Sequence, residues 1–148
     1  KRMYDISESL SITGKCCMDE PISNHPLSFG CNFTREQMAG IVSCANTYHL
    51  FCIPVRIEDM EALFACKEGF YLRVNTVRYV AILFDALLEN TFIQSHWQSV
   101  LNRGRFLRSK DDTRFVSASS LSSALSAARN NMTSVAYGIR KAIGRLKE

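Results

Sequence analysis

Apolar residues recur at helical spacing from residue 34 onward and predict a mainly α-helical fold. Thr34 and Gln37 have the spacing of a capping box, and the apolar residues that follow recur at i, i+3, i+4 and i+7. Pro54 cannot continue this helix, so the helix is expected to end near residues 48–50. A second helix is predicted over about residues 57–66.

The third predicted helix is expected to lie at the centre of the fold. Asn75 is its expected N-cap, and the apolar residues between 77 and 88 cover a broad arc of its surface. An arc of this width is typical of a largely buried helix. Ser95 and Gln98 repeat the capping-box spacing, which predicts a short helix over about residues 96–103 with Trp97 facing inward.

The pattern changes after Gly104, the residue at which the short helix is expected to stop. Residues 105–108 and 114–116 are short, β-prone and apolar at their centres, and the polar sequence 109–113 separates them. This arrangement predicts a β-hairpin. Two further helices are expected, one from a cap at Ser117 or Ser119 to Asn130, and one from about residue 133 to 147.

The chain divides into an irregular N-terminal arm, residues 1–33, and a single helical domain, residues 34–148. Within the domain, the sequence Cys44–Tyr48 is echoed 44 residues later by Leu88–Phe92, and both contain Asn-Thr followed by an aromatic residue. The echo suggests a pseudo-repeat of residues 34–72 and 75–116, followed by two C-terminal helices. Chance similarity over five residues explains it equally well.

The positive charge is unevenly distributed along the chain. The formal net charge is +4, but residues 1–66 carry five basic and eight acidic side chains. Residues 103–148 carry ten basic and three acidic side chains, a net charge of +7. This asymmetry favours a polyanionic partner for the C-terminal part. The alternative is the solvated surface of an ordinary soluble protein.

The predicted order of helix, turn, short helix and basic hairpin is that of a winged helix-turn-helix. In this interpretation the short helix enters the major groove of double-stranded DNA, where Gln98, Ser99 and Asn102 read base edges. The phosphates are neutralised by Arg103, Arg105, Arg108, Lys110 and Arg114. The alternative interpretation is a polar helix beside a solvated hairpin, because many all-α proteins with this geometry bind no DNA.

The region 117–134 contains seven serines, which suit helix caps and a small-residue packing face. A phosphate contact at the helix N-terminus is the alternative. Alanines in the same helix would let another helix approach closely. The second functional hypothesis is therefore a helical protein-interaction or homodimerisation module, which uses the helix 119–129 or the C-terminal helix and has no nucleic-acid role.

No catalytic or metal-binding pattern is evident. Cys16, Cys17, His25 and Cys31 offer a zinc ligand set, but the chain has no Cys-x-x-Cys pair and adjacent cysteines rarely bind one ion. Glycine-rich phosphate loops and the common hydrolase motifs are missing as well. We therefore expect a non-catalytic protein without a metal or cofactor.

The sequence favours the cytoplasm as the location of the protein. All six cysteines lie in the first 66 residues, no signal peptide is visible, and a chain of 148 residues can fold without disulfides. The longest apolar run, near residues 80–88, is shorter than the roughly 20 residues of a membrane span. We expect no membrane association.

A series of apolar residues in the C-terminal half, closed by a serine-rich sequence, is shared with a group of bacterial proteins. It consists of Leu83, Phe84, Leu87, Phe92, Ile93, Trp97, Val100, Gly104, Phe106 and the sequence Ser120–Ser126. With this series, residues 34–148 resemble small proteins of Bacteroidetes mobile elements, which are loosely grouped with regulators of conjugative-transposon excision. The resemblance implies a cytoplasmic DNA-binding accessory or regulatory protein and brings no catalytic residues.

Overall fold

The computed structural model describes residues 27–31 and 33–147, and in this part of the chain it contains six α-helices and a small β-sheet. The helices are α1 (Arg35–Thr47), α2 (Ile57–Phe64), α3 (Val77–Glu89), α4 (Trp97–Gly104), α5 (Ala118–Asn130) and α6 (Ser134–Gly144), and a 3₁₀ turn, Arg145–Lys147, follows α6. The strands are β1 (Leu72–Arg73) and β2 (Leu107–Arg108). The prediction of a mainly α-helical fold is confirmed.

Helix α1 begins with the predicted capping box. The Thr34 side chain accepts a hydrogen bond from the Gln37 backbone N–H, and the Gln37 side chain accepts one from the Thr34 backbone N–H. Ser117 caps α5 by accepting from the backbone N–H of Ser120. At these two helices the local sequence alone sets the start.

Two predicted N-caps are wrong because contacts with distant segments hold the residues before those helices. The Asn75 side chain donates to the carbonyl of His49 at 2.9 Å, and Thr76 is the N-cap residue of α3. His96, not Ser95, precedes α4, and its ring forms a 2.8 Å hydrogen bond with the carbonyl of Ser28. Neither cap residue makes a side-chain hydrogen bond to its helix.

Helix α3 lies at the centre of the core, as predicted. Every residue from Val80 to Leu87 is buried, and the helix packs against α5 and α6. Trp97 faces inward and stacks on Phe84, with ring centroids 5.4 Å apart. Phe29 is fully buried against the rings of Phe64, Phe84 and Phe106, so the core begins before residue 34. Residues 1–26 and 32 of the predicted arm lie outside the described residues.

The sheet differs from the predicted hairpin. Strand β2 pairs in parallel with β1, and Leu72 lies opposite Leu107. The predicted antiparallel partner of β2 contributes one bridge, from Arg108 to Phe115, and Phe51 forms a second bridge with Val74 beyond β1. Leu72 and Val74 donate from their backbone N–H groups to the carbonyls of Phe106 and Arg108, and this same-direction order of donors and acceptors is that of a parallel pair. The two strands are therefore flanked by single bridging residues, Phe51 beside β1 and Phe115 beside β2, and together they form a narrow sheet.

The element order repeats once along the chain. A helix of 13 residues, a helix of 8 residues and a strand of 2 residues occur in α1, α2 and β1 and again in α3, α4 and β2. Helix α3 starts at residue 77 and α1 at residue 35, a separation of 42 residues. The sequence echo has a spacing of 44 residues and is therefore displaced by two positions from the structural repeat.

Candidate nucleic-acid interface

Side chains alternate between the two sides of the narrow sheet, as extended backbone requires. The inward side chains are buried in the core and include Leu72, Val74, Leu107 and Val116. Four residues point outward: Tyr71, Arg73, Arg108 and Phe115. We call these four residues the sheet face.

The parallel register places two arginines side by side on the sheet face. Arg73 lies directly opposite Arg108, a pairing of like charges that is unfavourable in isolation. A guanidinium nitrogen of Arg73 donates to the carbonyl of Lys110 at 3.0 Å. Arg108 donates to the backbone carbonyl of Asp112 at 2.6 Å and forms an ion pair with the Asp112 carboxylate. Each arginine is therefore held at a defined position by the loop that follows β2.

That loop, residues 109–114, is closed by the carboxylate of Asp111. One oxygen of Asp111 accepts from the Ser109 hydroxyl at 2.6 Å and from the Thr113 hydroxyl at 2.7 Å. The Ser109 hydroxyl first, and then the hydroxyl and backbone N–H of Thr113, lower the pKa of Asp111 to about 2. Lys110 and Arg114 lie exposed on the same loop.

Exposed aromatic rings lie among these cations. Tyr71 is 47% exposed and Phe115 is 36% exposed, and their rings meet edge to face with centroids 6.4 Å apart. The guanidinium carbon of Arg108 lies 4.5 Å from the Phe115 centroid and 5.6 Å from that of Tyr71. Arg105 approaches Phe115 to 5.8 Å. These are cation–π distances, and they place the flat guanidinium groups against flat rings.

The structure therefore brings four of the predicted phosphate contacts together around one surface: Arg105, Arg108, Lys110 and Arg114. Tyr71 and Arg73 were missed because strand β1 was not predicted. The alternation in the sequence Tyr71–Val74, in which apolar Leu72 and Val74 flank Arg73, was the signal that could have found it.

The predicted base-reading residues lie on α4, which packs against α5. Gln98 and Ser99 are half-buried, whereas Asn102 and Arg103 are exposed. The side-chain oxygen of Asn102 accepts a 3.2 Å hydrogen bond from the backbone N–H of Ala118, the first residue of α5. Because a bidentate contact with adenine uses both the oxygen and the nitrogen of an Asn amide, this bond competes with base reading at Asn102.

The apolar side of the serine-rich helix α5 packs against the core of the same chain. Leu121, Leu125 and Ala128 are buried, and α5 packs against α3. Ser117 is its cap, in agreement with the prediction. The remaining serines of the helix, from residue 119 to residue 126, lie on its exposed side.

A second group of charges surrounds a buried carboxylate between α3, α5 and α6. Asp85 of α3 is only 2% exposed, and its two oxygens accept from Arg129 at 2.7 Å and from Arg140 at 2.8 Å. Arg140 also forms an ion pair with Glu89. Burial lowers the pKa of Arg140, but the hydrogen bonds and charges of Glu89 and Asp85 outweigh it, and the net effect raises that pKa. We call these four residues the ion cluster. An aspartate within the apolar arc of a buried helix was its sequence signal.

Burial disfavours reactivity at three of the described cysteines. Burial raises the pKa of the Cys44 thiol to about 11 and also raises the pKa values of Cys31 and Cys66, which disfavours the reactive thiolate. Residues 27–31 and 33–147 contain no cluster of three or more potential metal ligands. Cys16, Cys17 and His25 of the zinc alternative lie outside the described residues. None of the helices in the described ranges has the length and apolarity needed to cross a membrane.

Comparisons with protein-family models, with curated proteins and with solved structures find no match for this chain. The resemblance to mobile-element proteins therefore stays a prediction.

Proposed function

We propose that the protein binds nucleic acid through the sheet face and the adjoining loop 109–114, as a non-catalytic accessory or regulatory protein. The observation that supports this most directly is the register of the sheet, which sets Arg73 opposite Arg108 on an outward surface. Arg105, Lys110 and Arg114 extend the same surface. Five cations there face two carboxylates, those of Asp111 and Asp112, which leaves a net charge of +3.

A phosphate backbone suits this arrangement chemically. Adjacent guanidinium groups repel each other, and an anion bound between them removes that repulsion. Guanidinium groups also match the oxygen geometry of phosphate and bind it by paired hydrogen bonds. Asp112 pairs with Arg108, and Asp111 stays ionised while it accepts hydrogen bonds from Ser109 and Thr113, so the five cations exceed the two carboxylates by three charges. Positive potential therefore remains on the surface.

This proposal places the contact surface on the sheet rather than on helix α4. The hydrogen bond from Ala118 engages the Asn102 side chain within the protein. Arg103 lies in the last turn of α4, next to the residues that lead into β2, whereas the half-buried Gln98 lies in the first turn of the same helix. In the proposal Arg103 flanks the nucleic acid, and the phosphate contacts come from Arg73, Arg105, Arg108, Lys110 and Arg114.

Fluorescence anisotropy with labelled DNA tests the proposal, with salt varied over roughly 50–200 mM. The variant Arg105→Gln/Arg114→Gln removes two cations from the surface. If both contact phosphates, the slope of log K against log salt should fall by about 1.4 on single strands and about 1.8 on duplex. The affinity at the lowest salt concentration should fall as well.

The matched control is Lys141→Gln/Arg145→Gln, which removes the same charge from exposed positions in α6 and the 3₁₀ turn after it. This variant should keep the slope of the unmodified protein. Equal loss of slope in both variants means that only net charge matters and contradicts a defined binding surface. No binding of single-stranded or duplex DNA at the lowest salt concentration rejects the proposal altogether.

A further inference from the structure

The rings of the sheet face are not explained by phosphate binding. Tyr71 and Phe115 stay substantially exposed to water although each lies beside an arginine. Cations alone suffice for a sugar–phosphate backbone. Exposed rings gain from covering by another flat, apolar group, because this buries their large surfaces. A ligand that has both phosphates and accessible flat groups uses all of these residues.

The planar groups of the sheet face lie together in one patch, which we call the stacking platform. The Arg108 guanidinium lies near both rings, and Arg105 lies near Phe115. Rings and guanidinium planes are the groups on which unpaired nucleobases stack in proteins. Tyr71 and Phe115 meet at 89°, so they offer two differently directed surfaces within one patch.

A shallow apolar groove continues the platform beyond Tyr71. It has a volume of about 130 Å³ and is lined by Phe51, Cys52, Ile53, Tyr71, Leu72 and Arg73. Ile53 in this groove is 66% exposed, which is high for an isoleucine. The groove therefore offers apolar walls next to an aromatic ring, with the cation Arg73 beside them.

We infer that the sheet face binds single-stranded nucleic acid, with bases stacked on Tyr71 and Phe115 and phosphates bound by the neighbouring arginines. This inference rests on the proposed function and specifies its ligand. In a duplex the faces of the bases are covered by their neighbours, and a surface ring cannot reach them without unstacking. In a single strand the faces are accessible, and stacking tolerates any sequence because every base has a π-face.

The test compares a labelled oligothymidylate of about 12 nucleotides with a labelled duplex of the same length, which suits sites of roughly 4–16 nucleotides. We expect the unmodified protein to bind the single strand more tightly at equal salt concentration. The variant Tyr71→Leu should weaken single-strand binding by about 5- to 150-fold, the effect of one lost stacking contact. Its salt slope should stay unchanged, because no cation is removed.

Two control variants separate stacking from general surface effects. Tyr71→Phe keeps the ring and should keep most of the affinity. Tyr137→Leu removes a tyrosine that is 63% exposed on α6 and should leave binding unchanged. The thermal unfolding midpoint of each variant shows whether its fold is intact. The comparison of single-stranded with duplex DNA uses the unmodified protein and does not depend on any variant.

Different results overturn the two proposals. Equal or tighter binding of the duplex rejects the single-strand inference but leaves nucleic-acid binding in place, as does an unchanged affinity in folded Tyr71→Leu. The absence of binding to both probes at about 50 mM salt rejects the proposed function and the inference together.

Discussion

The arginines of this protein occupy two regions that differ in what balances their charge. In the ion cluster, Arg129 and Arg140 converge on the buried carboxylate of Asp85. At the sheet face, Arg73 and Arg108 lie side by side on an outward surface. Of the basic residues counted over 103–148, Arg129 and Arg140 thus pair with a buried acid, whereas Arg108 lies on an outward surface. Sequence counts alone do not distinguish the two.

The difference between the regions follows from the positions of the acids. A carboxylate within the core, such as Asp85, is unfavourable unless cations and hydrogen bonds compensate it, so α5 and α6 each supply an arginine. The acids near the sheet face lie on an exposed loop, where water solvates them. One of them, Asp111, binds hydroxyl groups of its own loop. Charge is therefore balanced where burial demands it and remains available for a ligand where burial does not.

The largest expected effect comes from removing the central acid of the ion cluster. Asp85→Ala leaves Arg129 and Arg140 without their shared partner, and breaking a buried pair in this way typically costs 3–5 kcal/mol. Because the Arg129 side chain is 55% exposed and can turn toward water, we expect about 3 kcal/mol, the lower end of that range. Urea unfolding followed by circular dichroism measures the change in the free energy of unfolding.

Glu89→Gln is the matched control, because it removes an acid that also pairs with Arg140 but is 53% exposed. Exposed pairs contribute about 0–1 kcal/mol, so this variant should cost no more than that. Similar losses in both variants would show that the burial of Asp85 does not set the cost of removing it. Nucleic-acid binding should be unaffected in both variants as long as they are folded, because neither lies at the sheet face.

The two regions also differ in how far the sequence predicts them. The burial of α3 and the inward direction of Trp97 follow from helical periodicity, which is a local signal repeated over several turns. Strand β1 has two residues, too few for an alternating pattern to stand out, and its partner β2 lies 35 residues away in the register Leu72–Leu107. The sequence predicts the basic residues around the loop 109–114. The position of Tyr71 and Arg73 beside that loop depends on the non-local pairing of β1 with β2.

Helix α4 ends at Gly104, where the sequence predicts its end, but the structure gives a different reason for a glycine at this position. It was predicted to stop α4, yet the left-handed conformation after the helix belongs to Arg105, with φ of 54°. A Cβ on Gly104 would overlap the ring of Phe106, which is buried directly beside it. Packing against Phe106, not helix termination, thus requires the glycine, and periodicity does not report packing of this kind.

The second prediction is that Gly104→Ala destabilises the protein by about 1–3 kcal/mol, because overpacking displaces a buried ring. The Phe106 carbonyl accepts from the Leu72 N–H at 2.8 Å, so the displacement should also disturb the sheet and weaken nucleic-acid binding. Urea unfolding and anisotropy measure the two effects.

Gly144→Ala is the control for this prediction, since nothing lies within 4 Å of its added Cβ and it ends helix α6. It should be neutral or stabilising by up to about 1 kcal/mol, because alanine favours helices. A stability loss as large as that of Gly104→Ala would contradict the packing explanation. Loss of stability without loss of binding in Gly104→Ala would show that the sheet face does not depend on Phe106.

The smallest expected effect concerns the pKa of Asp111. Hydrogen bonds from Ser109 and Thr113 hold this pKa at about 2 in the folded protein, below the ordinary value of 3.8. Because the folded pKa is lowered, the resulting contribution to stability is present above pH 3.8 and is lost as the pH falls through about 2. Thr113→Val removes one of the donating hydroxyls and should raise the pKa. The carboxyl ¹³C chemical shift of Asp111 measured against pH reports it.

The variant Arg114→Gln shows whether the pKa of Asp111 is lowered by the hydroxyl groups of its loop or by the charge of Arg114. If hydroxyl groups hold the carboxylate, the loss of this nearby cation should change the pKa of Asp111 less than Thr113→Val does. A larger change in Arg114→Gln would mean that Asp111 neutralises an arginine, as Asp85 does in the interior. Arg114 would then be less available to phosphates than proposed, and the contrast between the two regions would be one of burial alone.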